Sequence, residues 1–206
     1  MSELKSICVY CGSSKGDNEC FTQSAIDLAR AMIAKDIDLV YGGTNKGLMK
    51  IMADEFIKHR KTVTGIISQS FVDMGLVHPN ITKTVIVDTI TERRKKLIDF
   101  SDGFIAMSGG IGTLREIFEL LSFTQLDILK KPCGILNTAS FYDLMIQFLE
   151  HCKEMGFIME EHSDILLVDD NPNNLLNRLL KYDVKNIPKY FKQKFSLNGN
   201  TIFHEM

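Results

Sequence analysis

The stretch GFIAMSGGIGTLRE, residues 103–116, joins a short apolar strand to an amphipathic helix through a turn that contains three glycines. Glycines at such a junction let backbone N–H groups approach an anion closely, and the helix N-terminus adds about half a positive charge there. The junction therefore predicts a phosphate-binding turn. Its candidate binding residues are Gly109, Gly110, Ile111, Gly112 and Thr113.

Glu116 lies one turn inside the predicted helix, near enough to act on a molecule whose phosphate is held by the turn. It is therefore a candidate catalytic carboxylate. Thr113 and Glu116 also have the T-x-x-E spacing of a capping box, in which both side chains satisfy N–H groups at the helix end. The spacing alone favours neither interpretation over the other.

Apolar runs of strand length alternate with segments of helical periodicity along most of the chain. The runs cover residues 6–10, 38–41, 63–67, 84–87, 103–107, 133–136 and 165–168. Apolar helical faces are formed by Ala25, Leu28, Ala29, Met32 and Ile33, by Ile117, Leu120, Leu121 and Thr124, and by Leu144, Met145, Phe148 and Leu149. This alternation predicts an α/β fold: a single-domain, Rossmann-like, doubly wound parallel sheet of about seven strands with helices on both faces.

The length of 206 residues and the 45% of hydrophobic residues suit one domain with a single large core. We expect residues 1–185 to form a nucleotide-binding Rossmann-like domain and residues 186–206 to form a C-terminal tail. The tail has weak periodicity, and its aromatic residues are Tyr190, Phe191, Phe195 and Phe203. The tail is compatible with packing on the domain, with a role in a dimer contact and with partial disorder.

Charge and cysteine usage exclude several classes of protein. The net charge is -2 and no long run has one sign, so we expect neither nucleic acid nor a membrane as a partner. No apolar run has the length of a signal-peptide core or a spanning helix, which predicts a cytoplasmic protein. The five cysteines are odd in number and scattered, which argues against a disulfide framework. Cys8 and Cys11 form a C-x-x-C without a second ligand pair, so we expect buried thiols and no metal site.

Three glycine-bearing turns follow predicted strands, at residues 11–14, 41–47 and 108–116. Ligands on parallel sheets bind at the carboxyl ends of the strands, so all three turns should open on one rim. The first turn, CGSSKG at residues 11–16, lacks the G-x-G-x-x-G fingerprint of dinucleotide-binding proteins. After the second turn, Leu48 and Met49 replace the Lys and the Ser or Thr of a Walker A loop. Mononucleotide or sugar-phosphate binding remains, without an obligatory metal or other cofactor.

Arg93 and Arg94 begin a predicted helix just after the strand that ends at residue 87, on the same rim as the glycine turns. A guanidinium there can bind phosphate through two hydrogen bonds. The charged run ERRKK, residues 92–96, is also compatible with a solvated helix face, which is the commoner fate of such runs. The placement on the rim favours phosphate binding.

Taken together, the motifs resemble the LONELY GUY family of cytokinin riboside 5'-monophosphate phosphoribohydrolases over about residues 6–160. That family reads C-G-S-S, Y-G-G-G-x-x-G-L-M, M-x-x-R-K and P-G-G-x-G-T-x-x-E in this order. The matching segments are CGSS at residues 11–14, YGGTNKGLM at 41–49, ITERR at 90–94 and SGGIGTLRE at 108–116. Farther along, KPCGILN at residues 131–137 resembles the family's K-P-V-G-L-L-N. Each motif is weak alone, but their order and spacing are specific.

The resemblance implies hydrolysis of the N-glycosidic bond of a purine nucleoside 5'-monophosphate, such as AMP or a cytokinin nucleotide, to free base and ribose 5-phosphate. It assigns the catalytic pair to Arg93 and Glu116. Nucleotide binding is implied for Arg94, Gly110 through Thr113 and Ser122, with Ser13 and Gly43 in the other two turns. It also implies a homodimer built on the helix of residues 113–127, the alternative being that this helix belongs wholly to the core.

The chain departs from the family pattern at several positions around the expected site. Ser108 replaces a proline, Arg94 a lysine, Ile90 a methionine, Thr44 a glycine and Phe123 a tryptophan, and Gly75 falls about where many members carry a substrate-contacting glutamate. A non-catalytic carrier of a nucleotide or phosphorylated cofactor on the same rim is the alternative function. A pyridoxal-phosphate decarboxylase is disfavoured, because no lysine stands out near the predicted phosphate site.

Overall fold

A computed structural model of the chain describes residues 4–183, 196–197 and 200–201. Seven strands form one parallel sheet in the order β4-β3-β2-β1-β5-β6-β7. They are β1 (Ser6–Tyr10), β2 (Asp38–Tyr41), β3 (Val63–Ser68), β4 (Lys83–Val87), β5 (Gly103–Ala106), β6 (Cys133–Leu136) and β7 (Leu166–Asp169). All seven predicted strands are confirmed, with ends that differ by no more than one residue. A separate antiparallel pair joins β8 (Ser196–Leu197) to β9 (Asn200–Thr201).

Helices connect the strands and cover both faces of the sheet. The described α-helices are α1 (Glu19–Ala34), α2 (Gly47–Lys58), α3 (Gln69–Asp73), α4 (Ile90–Asp99), α5 (Ile111–Gln125), α6 (Asp143–Glu154) and α7 (Pro172–Lys181). Helices α1, α2 and α7 bury their apolar side chains against one face, and α4 and α5 against the other. The predicted doubly wound α/β fold is therefore confirmed.

The strand order reverses at β1, since β2 to β4 extend the sheet on one side and β5 to β7 on the other. In folds of this kind the crevice at the reversal is where ligands bind. The turns that follow β1 and β5 flank this crevice, so the topology itself directs the predicted phosphate-binding turn to it.

Alternate residues of β1 enter the two cores. Ile7 and Val9 pack with α1, α2 and α7, whereas Cys8 packs with α4 and α5. Cys11 lies in the first core, so the two cysteines of the C-x-x-C are on opposite faces of the sheet. Burial raises the pKa of both thiols. The prediction of two buried thiols is confirmed.

Helix α6 differs from α1 and α5 in how little of its predicted apolar face is buried. The faces predicted on α1 and α5 are buried, apart from the half-buried Ile33. None of the residues of α6 is fully buried, and Leu144 and Phe148 are 80% and 61% exposed. Periodicity reports that a helix has an apolar stripe but does not report what covers it. Here Met145 packs against the core that α4 and α5 cover, while Leu144 and Phe148 stay exposed.

The boundary predicted between residues 185 and 186, and the aromatic side chains predicted for the tail, lie outside the described residues. Among the helices that the structure does describe, none is both long and apolar enough to cross a membrane.

Candidate active site

The three glycine-bearing turns meet at the carboxyl edge of the sheet. Gly12 N–H donates to the carbonyl of Ser108 at 3.0 Å, and Leu48 N–H donates to the carbonyl of Gly12 at 3.0 Å. These two bonds join the turns that follow β1, β2 and β5. Gly47 has a φ of 53°, and a side chain at this position would overlap the backbone of Ser13. The predicted common rim is therefore confirmed.

Arg93 lies within this rim and is buried, with 9% of its surface exposed. Its Nε donates to the carbonyl of Ile66 at 2.9 Å and its Nη2 to the carbonyl of Gly42 at 3.3 Å. The guanidinium thus ties the end of β2 to β3, and Nη1 donates to Glu116 Oε1 at 3.3 Å. A side chain at position 42 would overlap the guanidinium, which explains the glycine. The alternative of a solvated helix face is wrong for Arg93.

Glu116 projects from the second turn of α5, and its side chain is 13% exposed. Burial raises the pKa of its carboxyl above the usual range, although the positive charges of Arg93 and Arg115 oppose this rise. Arg115 Nη2 lies 4.0 Å from Glu116 Oε1. The carboxylate therefore accepts a proton more readily than an exposed glutamate does.

The N-terminus of α5 carries no side-chain cap. The helix begins at Ile111 with Gly110 as its N-cap residue. Thr113 is the third residue of the helix, so the capping-box interpretation of Thr113 and Glu116 is wrong. The first N–H groups of a helix have no partner within the helix, and an uncapped N-terminus offers them to an anion.

The three glycines of this turn differ in how much space a side chain would have at each position. A side chain at Gly109 would overlap the side chain of Thr113 and approach the backbone nitrogen of Gly12 at 3.0 Å. A Cβ atom at Gly110 or Gly112 would meet nothing within 4 Å. Internal packing therefore explains Gly109 but neither of the other two, and the open space beside them leaves room for a ligand.

Arg94 is directed toward α5. Its Nη1 donates to Glu119 Oε1 at 2.7 Å and its Nη2 to Thr91 Oγ1 at 3.4 Å, while its Nε is buried without a hydrogen-bond partner. Glu119 lies one helical turn beyond Glu116. Two arginine–glutamate pairs therefore join α4 to α5 side by side.

The remaining candidate binding residues are divided between the rim and the body of α5. Ser13 is exposed beside Gly47, and Gly43 has a φ of 79° with its carbonyl accepting from His78 N–H at 3.0 Å. Ser122 is exposed on α5, roughly 14 Å along the helix axis from Thr113, in a groove between α5 and α6. The structure brings Ser13 and Gly43 to the rim and leaves Ser122 away from it.

Residue-type reasoning missed the groups that hold the two arginines. The carbonyls of Gly42 and Ile66 that fix Arg93 belong to the backbone, and no sequence signal marks them. Glu119 could have been found, because residues three apart on a helix share a face. Within the described residues, no group of three or more His, Cys, Asp or Glu side chains is placed to hold a metal ion.

Comparison with known proteins identifies the family to which the chain belongs. A family model described as "Possible lysine decarboxylase" matches residues 49–179. The cytokinin riboside 5'-monophosphate phosphoribohydrolase LOG5 of Arabidopsis thaliana is 34% identical over 181 residues, which cover 88% of this chain and 79% of that protein. The corresponding enzyme LOG of Oryza sativa subsp. japonica is 34% identical over 189 residues, covering 92% and 76%.

Solved structures of the same fold are more distant in sequence. The molybdenum cofactor carrier protein of Chlamydomonas reinhardtii superimposes with a TM-score of 0.66 at 16% identity, covering 87% of this chain and 99% of that one. The molybdenum cofactor binding protein of Rippkaea orientalis gives 0.64 at 19% identity, covering 85% and 96%. These likenesses show the fold, whereas the family follows from the sequence matches: the chain belongs to the LONELY GUY family.

Proposed function

We propose that this protein hydrolyses the N-glycosidic bond of purine nucleoside 5'-monophosphates and releases the free base and ribose 5-phosphate. The observation that carries the proposal is the buried Arg93–Glu116 pair, which lies on the same rim as the uncapped N-terminus of α5. Relatives at 34% identity named as phosphoribohydrolases support it.

The phosphate is held by the backbone N–H groups from Gly110 to Thr113, and its binding energy positions the sugar. As the bond from the anomeric carbon to the base breaks, its electron pair leaves with the base and positive charge builds on the sugar. The carboxylate of Glu116 stabilises that charge and takes a proton from the attacking water, whose oxygen bonds to the anomeric carbon. That proton passes to the departing base, which leaves as the neutral molecule, and Glu116 returns to its ionised form.

Arg93 orients Glu116 in this reaction, in addition to any contact that it makes with the phosphate. Three of its five N–H bonds are used by the carbonyls of Ile66 and Gly42 and by Glu116. It therefore holds the carboxylate in a fixed orientation, and two N–H bonds remain for the phosphate or the ribose.

N6-substituted nucleotides are the proposed preferred substrates. Ile90 and Ile111 are the first residues of α4 and α5, at the carboxyl end of the sheet, and both side chains are apolar and exposed, as is Met74 at the end of the short helix α3. Apolar surface at the mouth of a polar site favours a base that carries an apolar substituent. Cytokinin nucleotides have such a substituent and AMP lacks it.

The proposal is tested by incubating the protein with AMP and with N6-isopentenyl-AMP and measuring released base by chromatography. We expect base from both, and more from the substituted nucleotide at equal concentration. Thermal stabilisation by nucleotides without release of base would instead identify a carrier or sensor on the same rim.

The variant Gly112→Ala should become more stable and less active. Alanine replaces glycine within α5, where nothing opposes the added methyl group, so the free energy of unfolding should rise by about 0.5–1 kcal/mol. The same methyl group enters the space proposed for the phosphate, so kcat/KM should fall by about tenfold or more. Denaturant unfolding and base release measure the two effects. A rise in stability excludes unfolding as the cause of lost activity, and unchanged kcat/KM would place the phosphate elsewhere.

We also propose a homodimer built on α5 and its neighbour α6. Both helices expose large apolar side chains, among them Phe118, Leu126, Leu144 and Phe148. Contiguous exposed apolar surface of this kind marks interaction sites. Sedimentation velocity should give a mass twice that of the 23.3 kDa chain, and a monomer mass at all concentrations would contradict the proposal.

The amino-acid composition supports a proposed cellular location and a proposed division of the chain into a domain and a tail. The five free cysteines, all among the described residues, are typical of a reducing compartment, which supports a cytoplasmic location. The near-neutral balance of charge supports the absence of nucleic acid and membrane partners. One nucleotide-binding domain over residues 1–185 with a short tail remains the proposed organisation.

A further inference from the structure

We propose that Tyr142 is a positioning residue that sets the geometry of the phosphate-binding turn; this inference rests on the proposed function. Tyr142 is buried, and its hydroxyl donates to the carbonyl of Met107 at 2.7 Å. Met107 is the last residue before the turn of residues 108–116. The hydroxyl therefore acts on the turn from outside it, through the backbone.

The bond to Met107 fixes more than one carbonyl. The Met107 N–H already donates to the carbonyl of Tyr10 at 2.8 Å, so both backbone polar groups of Met107 are held. Because a trans peptide is planar, fixing the Met107 carbonyl also fixes the direction of the Ser108 N–H. The Ser108 carbonyl in turn accepts from Gly12 N–H at 3.0 Å. The backbone at Met107 and Ser108 is thus fixed by hydrogen bonds at the point where the chain enters the glycine turn.

Tyr142 is itself anchored by the connection between β6 and α6. Its backbone N–H donates to Asn137 Oδ1 at 2.8 Å, and Asn137 Nδ2 donates to Asp143 Oδ1 at 2.7 Å. Between these residues, Ala139 and Ser140 have φ values of 51° and 58°, which residues with side chains rarely adopt. Such strained conformations persist where the surroundings over-determine them, and they cluster at functional sites.

A tyrosine chosen for packing alone would not need this hydroxyl. The ring of Tyr142 packs edge-on against Phe141 with centroids 4.8 Å apart, and a phenylalanine at position 142 would fill the same volume. The variant Tyr142→Phe therefore separates the two roles, because it removes the bond to Met107 and keeps the ring.

The test compares Tyr142→Phe with the wild type in nucleotide hydrolysis and in calorimetric binding of ribose 5-phosphate. We expect KM for AMP and Kd for ribose 5-phosphate to rise about tenfold, with kcat changing much less. Ser101→Ala is the matched control, since the Ser101 hydroxyl is also buried and donates to a backbone carbonyl, that of Leu97, at 2.9 Å. It lies just before β5, at the opposite end of the sheet, and should leave KM and Kd unchanged.

Each outcome decides one claim. Unchanged KM and Kd in folded Tyr142→Phe would overturn the positioning role while the hydrolase function stands. Binding of ribose 5-phosphate without base release from any nucleotide would remove the hydrolase function, and the Kd comparison would still decide the role of Tyr142. Failure of the wild type to bind ribose 5-phosphate would overturn the inference. If Tyr142→Phe does not fold, Asn137→Ala, which frees the Tyr142 backbone, should raise the same two constants, and unchanged values would refute the role.

Discussion

The variant Glu116→Gln should release base about 10²- to 10³-fold more slowly than the wild type at saturating nucleotide. The amide has the shape of the carboxylate but carries no charge, so it neither stabilises the positive sugar nor takes a proton from water. Its oxygen can still accept from Arg93, so the fold should persist. Measurement of kcat with N6-isopentenyl-AMP, by chromatography of released base, gives the effect directly.

Glu55→Gln is the matched control for this variant. Glu55 is also a buried glutamate paired with an arginine, since Arg30 Nε donates to its Oε1 at 2.7 Å, but it joins α1 to α2 away from the rim. Its replacement should leave kcat unchanged. Equal losses in the two variants would show that Glu116 acts through stability and not through chemistry.

The pH dependence of kcat should reflect the raised pKa of Glu116. Burial raises the pKa of its carboxyl, and the reaction requires the ionised form. Activity should therefore be lost as the pH falls through that raised pKa, at a higher pH than an ordinary glutamate would give. A kcat profile recorded from acid to neutral pH tests this, and an acid limb at the usual glutamate pKa would contradict it.

The variant Arg93→Met should lose both activity and stability, the second-largest change that we expect. Methionine fills much of the same space but leaves Glu116 buried without its charged partner and leaves two backbone carbonyls without a donor. Removal of one member of a buried ion pair costs about 3–5 kcal/mol of unfolding free energy. The remaining carboxylate should be protonated and misoriented, so kcat should fall by at least about 10²-fold.

A double variant separates these two effects. Adding Glu116→Gln to Arg93→Met replaces the unpaired carboxyl by an amide that is neutral without being protonated, so part of the lost unfolding free energy should return while activity stays low. Denaturant unfolding of the two single variants and the double variant supplies the comparison. Additive losses of stability would mean that the two side chains do not interact in the folded protein.

The sheet could be predicted from the sequence because buried parallel strands appear as short apolar runs bounded by turns. Ile7 to Tyr10 and Phe104 to Met107 are of this kind, and the strands found there differ little from those expected. The position of the glycine turns on one rim followed from topology alone. These features depend on local composition and on rules that hold for every parallel sheet.

The remainder of the site depends on distances that no local pattern encodes. The T-x-x-E spacing did not decide between capping and catalysis, because the choice depends on where α5 begins, and it begins at Ile111. Backbone carbonyls as partners of Arg93 are equally invisible to residue type. The exposed stripe of α6 shows a different limit, since apolar periodicity cannot distinguish contact with the sheet from contact with another molecule.

The bonds of Arg93 to the end of β2 and to β3 make both the chemistry and the stability of the fold depend on one side chain. A relative that no longer catalyses the reaction could replace Glu116 by glutamine and keep its fold, because the amide oxygen still accepts from Arg93 and the arginine keeps its two carbonyl partners. Discarding Arg93 first would instead leave the carbonyls of Ile66 and Gly42 without their side-chain donor. We therefore expect an inactive relative to keep the arginine more often than the glutamate.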